Sequence, residues 1–288
     1  MNSSNASYCW SSSELRRYIH TSIKTLGLKP SRHFGQNFLI DASVIRFHLS
    51  QASLTPSDVV LEIGPGLGNL TKCIIPQVKK VFVIESDRKI YAFLCNKFSV
   101  FSNVECIFGD AIKVEWPKFS KCLSNLPYQI SSPITFKLFK HNFELAVLMY
   151  QKEFAERLIA QPGSKQYSRL SVMLSIHAYC DYLLTIKPTS FYPSPKVESA
   201  LVKITPHKPL VQAEEFPSFV TSLFNNKGRT VRAVVKRLLK NYELSSSNSE
   251  QILNCLGDLS SRRVFTLSTS EIISLYKRLE PIIKEAIH

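Results

Sequence analysis

Acidic side chains are in short supply: 22 Asp and Glu stand against 36 Lys and Arg, a formal net charge of +14 over 288 residues. An excess of that size points to a polyanionic partner, although a basic surface that serves only solubility has the same composition. Long apolar runs are missing too. Nothing approaches the roughly 20 consecutive apolar residues that a membrane-spanning helix needs, and Met1 to Ser13 is rich in Ser and Asn, with no secretory core. Of the seven cysteines, no two sit close enough along the chain for a metal knuckle or a redox pair, so they read as reduced and mostly buried thiols. These absences lead to a soluble, cytoplasmic protein with no membrane association and no metal, and a monomer is expected. Ser11 to Lys24, Ser-rich with Arg16, Arg17 and a single acid, Glu14, also has the composition of a transit peptide.

What is present is an alternation. After a polar, basic stretch from Lys29 to Leu39 that reads as an ordered loop or arm, apolar strand-like runs occur at Val59–Ile63, Val81–Ile84, Val104–Phe108, Lys121–Ser124 and Leu145–Tyr150. Helix-like segments such as Leu67–Val78 and Lys89–Phe98 separate them. Continuous apolar strands between amphipathic helices predict a parallel sheet covered on both faces. A further helix begins near Ser168, and Tyr182–Ile186 with Ala200–Ile204 would form a hairpin closing the sheet edge. Past Pro206 the texture is charged and helical, without internal repeats. The expected division is a flexible tail over 1–28, a sheet domain over 29–206 and a helical domain over 207–288.

Val59–Ile63 runs directly into Gly64-Pro65-Gly66-Leu67-Gly68, a buried strand ending in a glycine-rich turn that opens a helix. Glycine lets the backbone close on a ligand there, and the helix N-terminus favours negative charge. In a nucleotide-binding sheet the next strand ends in an acid about 20 residues on, which accepts from a ribose. Glu85 fits. That spacing serves a dinucleotide as well as S-adenosylmethionine. Asp110, in Gly109-Asp110-Ala111 after the third strand, adds a carboxylate that could accept from an adenine amino group, or could simply cap the following helix.

The fourth strand leads to Asn125-Leu126-Pro127-Tyr128, at the carboxyl edge where such sheets bind ligands. Asn and Pro favour turns, so the four residues alone need be no more than a turn. Their place in the strand order suits a different role. An adenine amino group is a weak nucleophile because its lone pair is delocalised into the ring. The Asn125 side-chain oxygen and the Leu126 carbonyl would accept its hydrogens and favour a tetrahedral nitrogen, while Tyr128 would replace the stacking an extruded base loses. Methyl transfer by in-line displacement then depends chiefly on positioning.

The chain resembles the ribosomal RNA adenine dimethyltransferases of the small-subunit dimethyladenosine type, through Gly35-Gln36-Asn37-Phe38-Leu39, Glu62 to Gly68, Asn125 to Ser131, Tyr167 to Val172 and Phe191-Tyr192-Pro193-Ser194-Pro195-Lys196-Val197. Gln129 to Leu138 and Leu145 to Gln151 are most similar to the archaeal and eukaryotic branch, while Ser168 stands where many relatives have Gly. The resemblance implies a Rossmann-like α/β sheet that binds S-adenosylmethionine, followed by a smaller all-helical C-terminal domain. It implies that Gln36, Asn37 and Leu39 enclose the cofactor's amino-acid end above Gly64 and Gly66. Glu85 would hold the ribose, Asp110 and Ala111 the adenine, and Asn125 would border both cofactor and target. Phe191 would form a second aromatic wall opposite Tyr128, although beside a proline turn it also reads as a core aromatic. The implied reaction places two methyl groups on each of two adjacent adenines near the end of small-subunit rRNA, within an immature subunit.

In Asn225 to Lys240, Val231, Val234, Val235, Leu238 and Leu239 recur at helical spacing as a buried stripe, leaving Arg229, Arg232, Lys236 and Lys240 on another face. A face of nearly one sign suits a phosphate backbone. The alternatives are a large-subunit rRNA methylase of the antibiotic-resistance type and a transcription-factor-like relative in which methyl transfer is dispensable. A dinucleotide oxidoreductase is disfavoured because no hydride-transfer site is in evidence.

Overall fold

The computed structural model describes residues 9–29, 36–240, 250, 252–254 and 256–285. They fall into two compact units, the described residues of Met1–Ala155 with Asp181–Pro206, and those of Glu156–Cys180 with His207–His288.

The first unit opens with α1 (Ser12–Thr25). Next come β1 (Phe38–Leu39), α2 (Ala42–Ala52), β2 (Val59–Ile63), α3 (Thr71–Ile74), β3 (Lys80–Glu85), α4 (Arg88–Phe98) and β4 (Val104–Phe108). β5 (Lys121–Asn125), α5 (Ser131–Leu138), β6 (Leu145–Gln151) and α6 (Lys152–Leu158) complete the alternation. After α7 (Arg169–His177) the chain returns through β7 (Ala178–Ile186), β8 (Phe191–Tyr192) and β9 (Ser199–Pro206).

Seven strands form one sheet in the order β4-β3-β2-β5-β6-β9-β7. From β4 to β6 the pairs are parallel, and β9 runs antiparallel to β6. The expected pairing of Tyr182–Ile186 with Ala200–Ile204 at the edge is present as the neighbours β7 and β9. β2 and β6 are buried along nearly their whole length, as strands covered on two faces must be. Each fully buried Val, Leu or Ile there contributes about 1.5–3 kcal/mol. The strand order reverses between β2 and β5, so the loops after them flank a crevice at the carboxyl edge. At the opposite edge a buried ion pair, Lys121 to Asp58 at 2.9 Å, is completed by Ser120 and the Thr55 backbone N–H.

Two sequence expectations need correction. Residues 12–25, placed in a flexible tail, are helical: Ser11 and Glu14 cap the helix reciprocally, and Leu15 and Ile19 are fully buried. Apolar residues at i and i+4 behind a capping box suffice to specify such a helix once there is a surface to cover. Glu156–Cys180, assigned to the sheet domain, belongs by its contacts with the helical unit. There α7 packs on α8 (Phe216–Phe224), Arg169 donates to Thr221 Oγ1 at 3.0 Å, and Ser175 shares a 2.7 Å hydrogen bond with Thr269. That unit continues with α9 (Val231–Lys240) and α10 (Thr269–Glu285). No helix among the described residues is long and apolar enough to cross a membrane, and no group of three or more His, Cys, Asp or Glu among them could hold a metal ion.

Candidate active site

Three loops at the carboxyl ends of β2, β3 and β4 are tied together by backbone hydrogen bonds from Gly64 N–H to Ile84 O and from Gly109 N–H to Glu85 O, each 2.9 Å. Gly64, Gly66 and Gly68 all hold positive φ, at 64°, 55° and 77°. At Gly64 a second constraint operates, because a Cβ would lie 3.1 Å from Pro127 Cδ. Glycine is required there both by backbone conformation and by the approach of the Asn125–Tyr128 loop.

Around these loops lies a cavity of about 370 Å³. Gln36, Asn37, Leu39, Gly64, Gly66, Glu85, Asp110 and Ala111 line it. Asn125 and Pro127 line it as well. Residues from five separate stretches of sequence thus converge on one cavity. Its size is that of small-molecule and cofactor sites.

Glu85 is 8% exposed and its Oε1 accepts from the backbone N–H groups of Ser86 (2.8 Å) and Asp87 (2.9 Å). Burial nevertheless pushes its carboxyl up to about 7, against the pull of those donors. Asp87 caps α4 through Lys89 and Ile90, and its other oxygen receives Gln36 Nε2 at 3.0 Å, which anchors the arm before β1. No helix follows Asp110 for it to cap; it closes a turn instead, its Oδ1 accepting from Ile112 N–H at 2.9 Å. Lys137 on α5 donates to the carbonyls of Ala111, Ile112 and Val114, so the Asp110 loop is held from below by one ammonium group.

Leu126, Tyr128 and Phe191 are not among the residues that line the cavity. Leu126 is 1% exposed and its N–H reaches Met149 O at 3.3 Å. Tyr128 is half-buried, with its hydroxyl 2.6 Å from Ser199 Oγ. Phe191, expected as a second aromatic wall, is packed in the core at 2% exposure, because β8 pairs antiparallel with β1 and turns that side chain inward. The period-2 alternation of a strand puts the neighbouring ring, Tyr192, outward at 39% exposure.

Polar residues that line the cavity but were not assigned to it from the sequence include Glu62, His48 and Asn69. An acid inside an apolar strand was the available signal for Glu62, since a buried carboxyl must be neutralised or bonded. Thr71 Oγ1 donates to it at 2.6 Å, and burial pushes its carboxyl up to about 8. His48 is 1% exposed, its Nε2 donating to Val147 O at 2.8 Å, and burial pushes it down to about 4, so the ring is neutral. Asn69 donates from Nδ2 to Leu39 O at 2.8 Å.

In the helical unit α9 buries Val231, Val234, Val235 and Leu239 and only half-buries Leu238. Arg229, Lys236 and Lys240 are exposed. Arg232 differs: it is half-buried, with Nη2 2.9 Å from Glu250 Oε1.

A family model described as "Ribosomal RNA adenine dimethylase" matches residues 27–273. Two archaeal proteins named "Probable ribosomal RNA small subunit methyltransferase A" are similar over most of the chain. One, from Thermococcus gammatolerans, is 43% identical over 263 residues, 91% of this chain and 93% of that protein. Its counterpart from Pyrococcus abyssi is 45% identical, covering 90% and 94%. Among solved structures, a dimethyladenosine transferase from Plasmodium falciparum is 32% identical with a TM-score of 0.77, covering 85% of this chain and 98% of that one. The 23S rRNA methyltransferase ErmE is 28% identical with a TM-score of 0.64, covering 85% and 100%.

Proposed function

The chain belongs to the ribosomal RNA adenine dimethylase family, and from that premise we propose that it transfers methyl groups from S-adenosylmethionine to the N6 amino groups of two adjacent adenines near the 3′ end of small-subunit rRNA. The observation that carries this reading is the convergence of Asn125 and Pro127 with Glu85, Asp110 and the glycine loop on one cavity. A buried acceptor at Glu85, a second at Asp110 and a stretch of lining without side chains at Gly64 and Gly66 suit a nucleoside carrying a zwitterionic tail. Glu85 would accept from the ribose hydroxyls, Asp110 from the adenine amino group, and Gln36, Asn37 and Leu39 would cover the amino-acid end. When bound, that cofactor supplies an electrophilic methyl on a sulfonium.

The chain's own contribution is positioning. Asn125 Oδ1 and the Leu126 carbonyl accept the two amino hydrogens of the target adenine and direct its nitrogen lone pair towards the cavity. Tyr128 stacks on the base, and its bond to Ser199 holds the hydroxyl end of the ring in place. The target amine carries its proton away to solvent after transfer, so no general base is needed. Exposed Arg229, Lys236 and Lys240 would neutralise rRNA phosphates. The substrate would be rRNA within an immature small subunit, and the protein would act as a cytoplasmic monomer.

The deciding experiment supplies immature small subunits and large-subunit RNA with methyl-labelled S-adenosylmethionine and maps the modified bases. Dimethyladenosine at neighbouring positions of small-subunit rRNA is the expected result. Label confined to large-subunit RNA, the substrate in the name of ErmE, would replace it with that reading.

A further inference from the structure

The segment before the arm has no part in the family match, which begins at residue 27, yet it is bonded to the cofactor loop. Trp10, 8% exposed, donates its indole N–H to Asn69 O at 2.8 Å, and Tyr18 donates its hydroxyl to Leu67 O at 2.5 Å. Those two carbonyls bracket Gly68, in the stretch where three glycines hold positive φ. Asn69 carries the contact onward, since its Nδ2 donates to Leu39 O, and Asn69 and Leu39 both line the cavity. The segment is itself well seated. The Trp10 and Tyr18 rings stack at 4.8 Å, Lys72 Nζ lies 3.7 Å over Trp10, Lys97 Nζ lies 3.6 Å over Tyr18, and Arg46 donates to Trp10 O at 3.0 Å.

We propose that the segment carrying Trp10 and Tyr18 is a working part of the cofactor cavity, with both residues positioning the glycine-rich loop for the ligand. A glycine-rich loop has many accessible backbone conformations, and each costs entropy to suppress when a ligand binds. Two side chains that hold Leu67 O and Asn69 O in the free protein remove part of that cost beforehand. This rests on the reading of the cavity as the S-adenosylmethionine site.

The test uses the full chain with Trp10→Phe and Tyr18→Phe, each of which keeps a ring and removes one donor. Two quantities are read: amide hydrogen exchange of residues 64–70 in the free protein, with β4 amides as an internal reference, and the dissociation constant for S-adenosylhomocysteine by calorimetry. Exchange should quicken in the loop and not in β4. Affinity should weaken roughly three- to tenfold per lost hydrogen bond, while kcat at saturating cofactor stays near wild type. Loop exchange and affinity equal to wild type in both variants would overturn the proposal, as would quickening shared equally by β4, which marks general destabilisation. If Trp10→Phe does not fold, Tyr18→Phe decides by the same measurements. A wild-type protein that fails to bind S-adenosylhomocysteine overturns the cofactor reading instead, and the exchange comparison still judges the brace on its own.

Discussion

The Tyr128 hydroxyl and Ser199 Oγ lie 2.6 Å apart, joining the loop after β5 to the first residue of β9. Burial raises the Tyr128 hydroxyl above its ordinary value, so the bond is made by a neutral phenol. Tyr128→Phe should keep the stacking face and lower kcat only several-fold, in keeping with one neutral hydrogen bond of about 0.5–1.5 kcal/mol. Tyr128→Ala should raise KM for RNA by roughly ten- to a hundredfold through loss of about 1–3 kcal/mol of stacking. Steady-state kinetics on both variants separate the two roles.

Asn125→Ala should leave S-adenosylhomocysteine affinity near wild type and reduce turnover by about 10²-fold or more, the loss seen when one preorganised hydrogen-bonding group at a reacting centre is removed. Turnover near wild type would show that the target amino group is held by other atoms.

Cofactor affinity should fall as the pH drops below about 7. In the free protein burial raises Glu85 to about 7, whereas ribose hydroxyls donate to its ionised form. Below that pH a proton must leave before binding, which weakens affinity by up to about tenfold per unit. Calorimetry from pH 5.5 to 8.5 checks this, and Glu85→Gln should bind weakly with a flat profile.

Glu62 makes a stability prediction of its own. Burial raises its carboxyl from 4.5 to about 8, so the fold favours the protonated form. That contribution is complete below pH 4.5 and is lost as the pH rises through 8. Thermal denaturation should show this part of the stability declining between those values, and Glu62→Gln, which keeps an acceptor for Thr71, should flatten the decline.

Replacing Arg229, Lys236 and Lys240 with Ala should flatten the salt dependence of RNA binding by about one unit of slope per lost phosphate contact. Arg232→Ala should change it less, because that guanidinium already faces Glu250. Equal slopes for the triple variant and wild type would remove these residues from the RNA surface.

Much of this was legible in the sequence because its signals were local. Continuous apolar runs marked β2, β3, β4 and β6, and the glycines and acids that follow them marked the cavity wall. Less was legible where tertiary partners decide. Phe191 sits beside a proline turn in either reading, and only pairing with β1 turns it inward. Arg232 lies on the charged face by helical period, yet an acid 18 residues away claims it. Leu15 and Ile19 gave a helical stripe too short to be noticed without the surface it covers. Glu62 and His48 could have been suspected as lone polar groups in apolar stretches, but their bonds to Thr71 and Val147 belong to the folded chain.

The two-residue ladder between β1 and β8 sets an order of events during synthesis. Phe38 pairs with Tyr192 and Leu39 with Phe191, so the arm beside the cavity, already held by Asp87 through Gln36 and by Asn69 through Leu39 O, gains its backbone ladder only when β8 has been made. Ile40 N–H likewise waits for Ser190 O. A ribosome-bound chain can assemble β2 to β6 and the acids at their ends while this ladder is still unmade, since contacts between distant segments carry the greater closure cost. The last support of the arm therefore arrives late in translation.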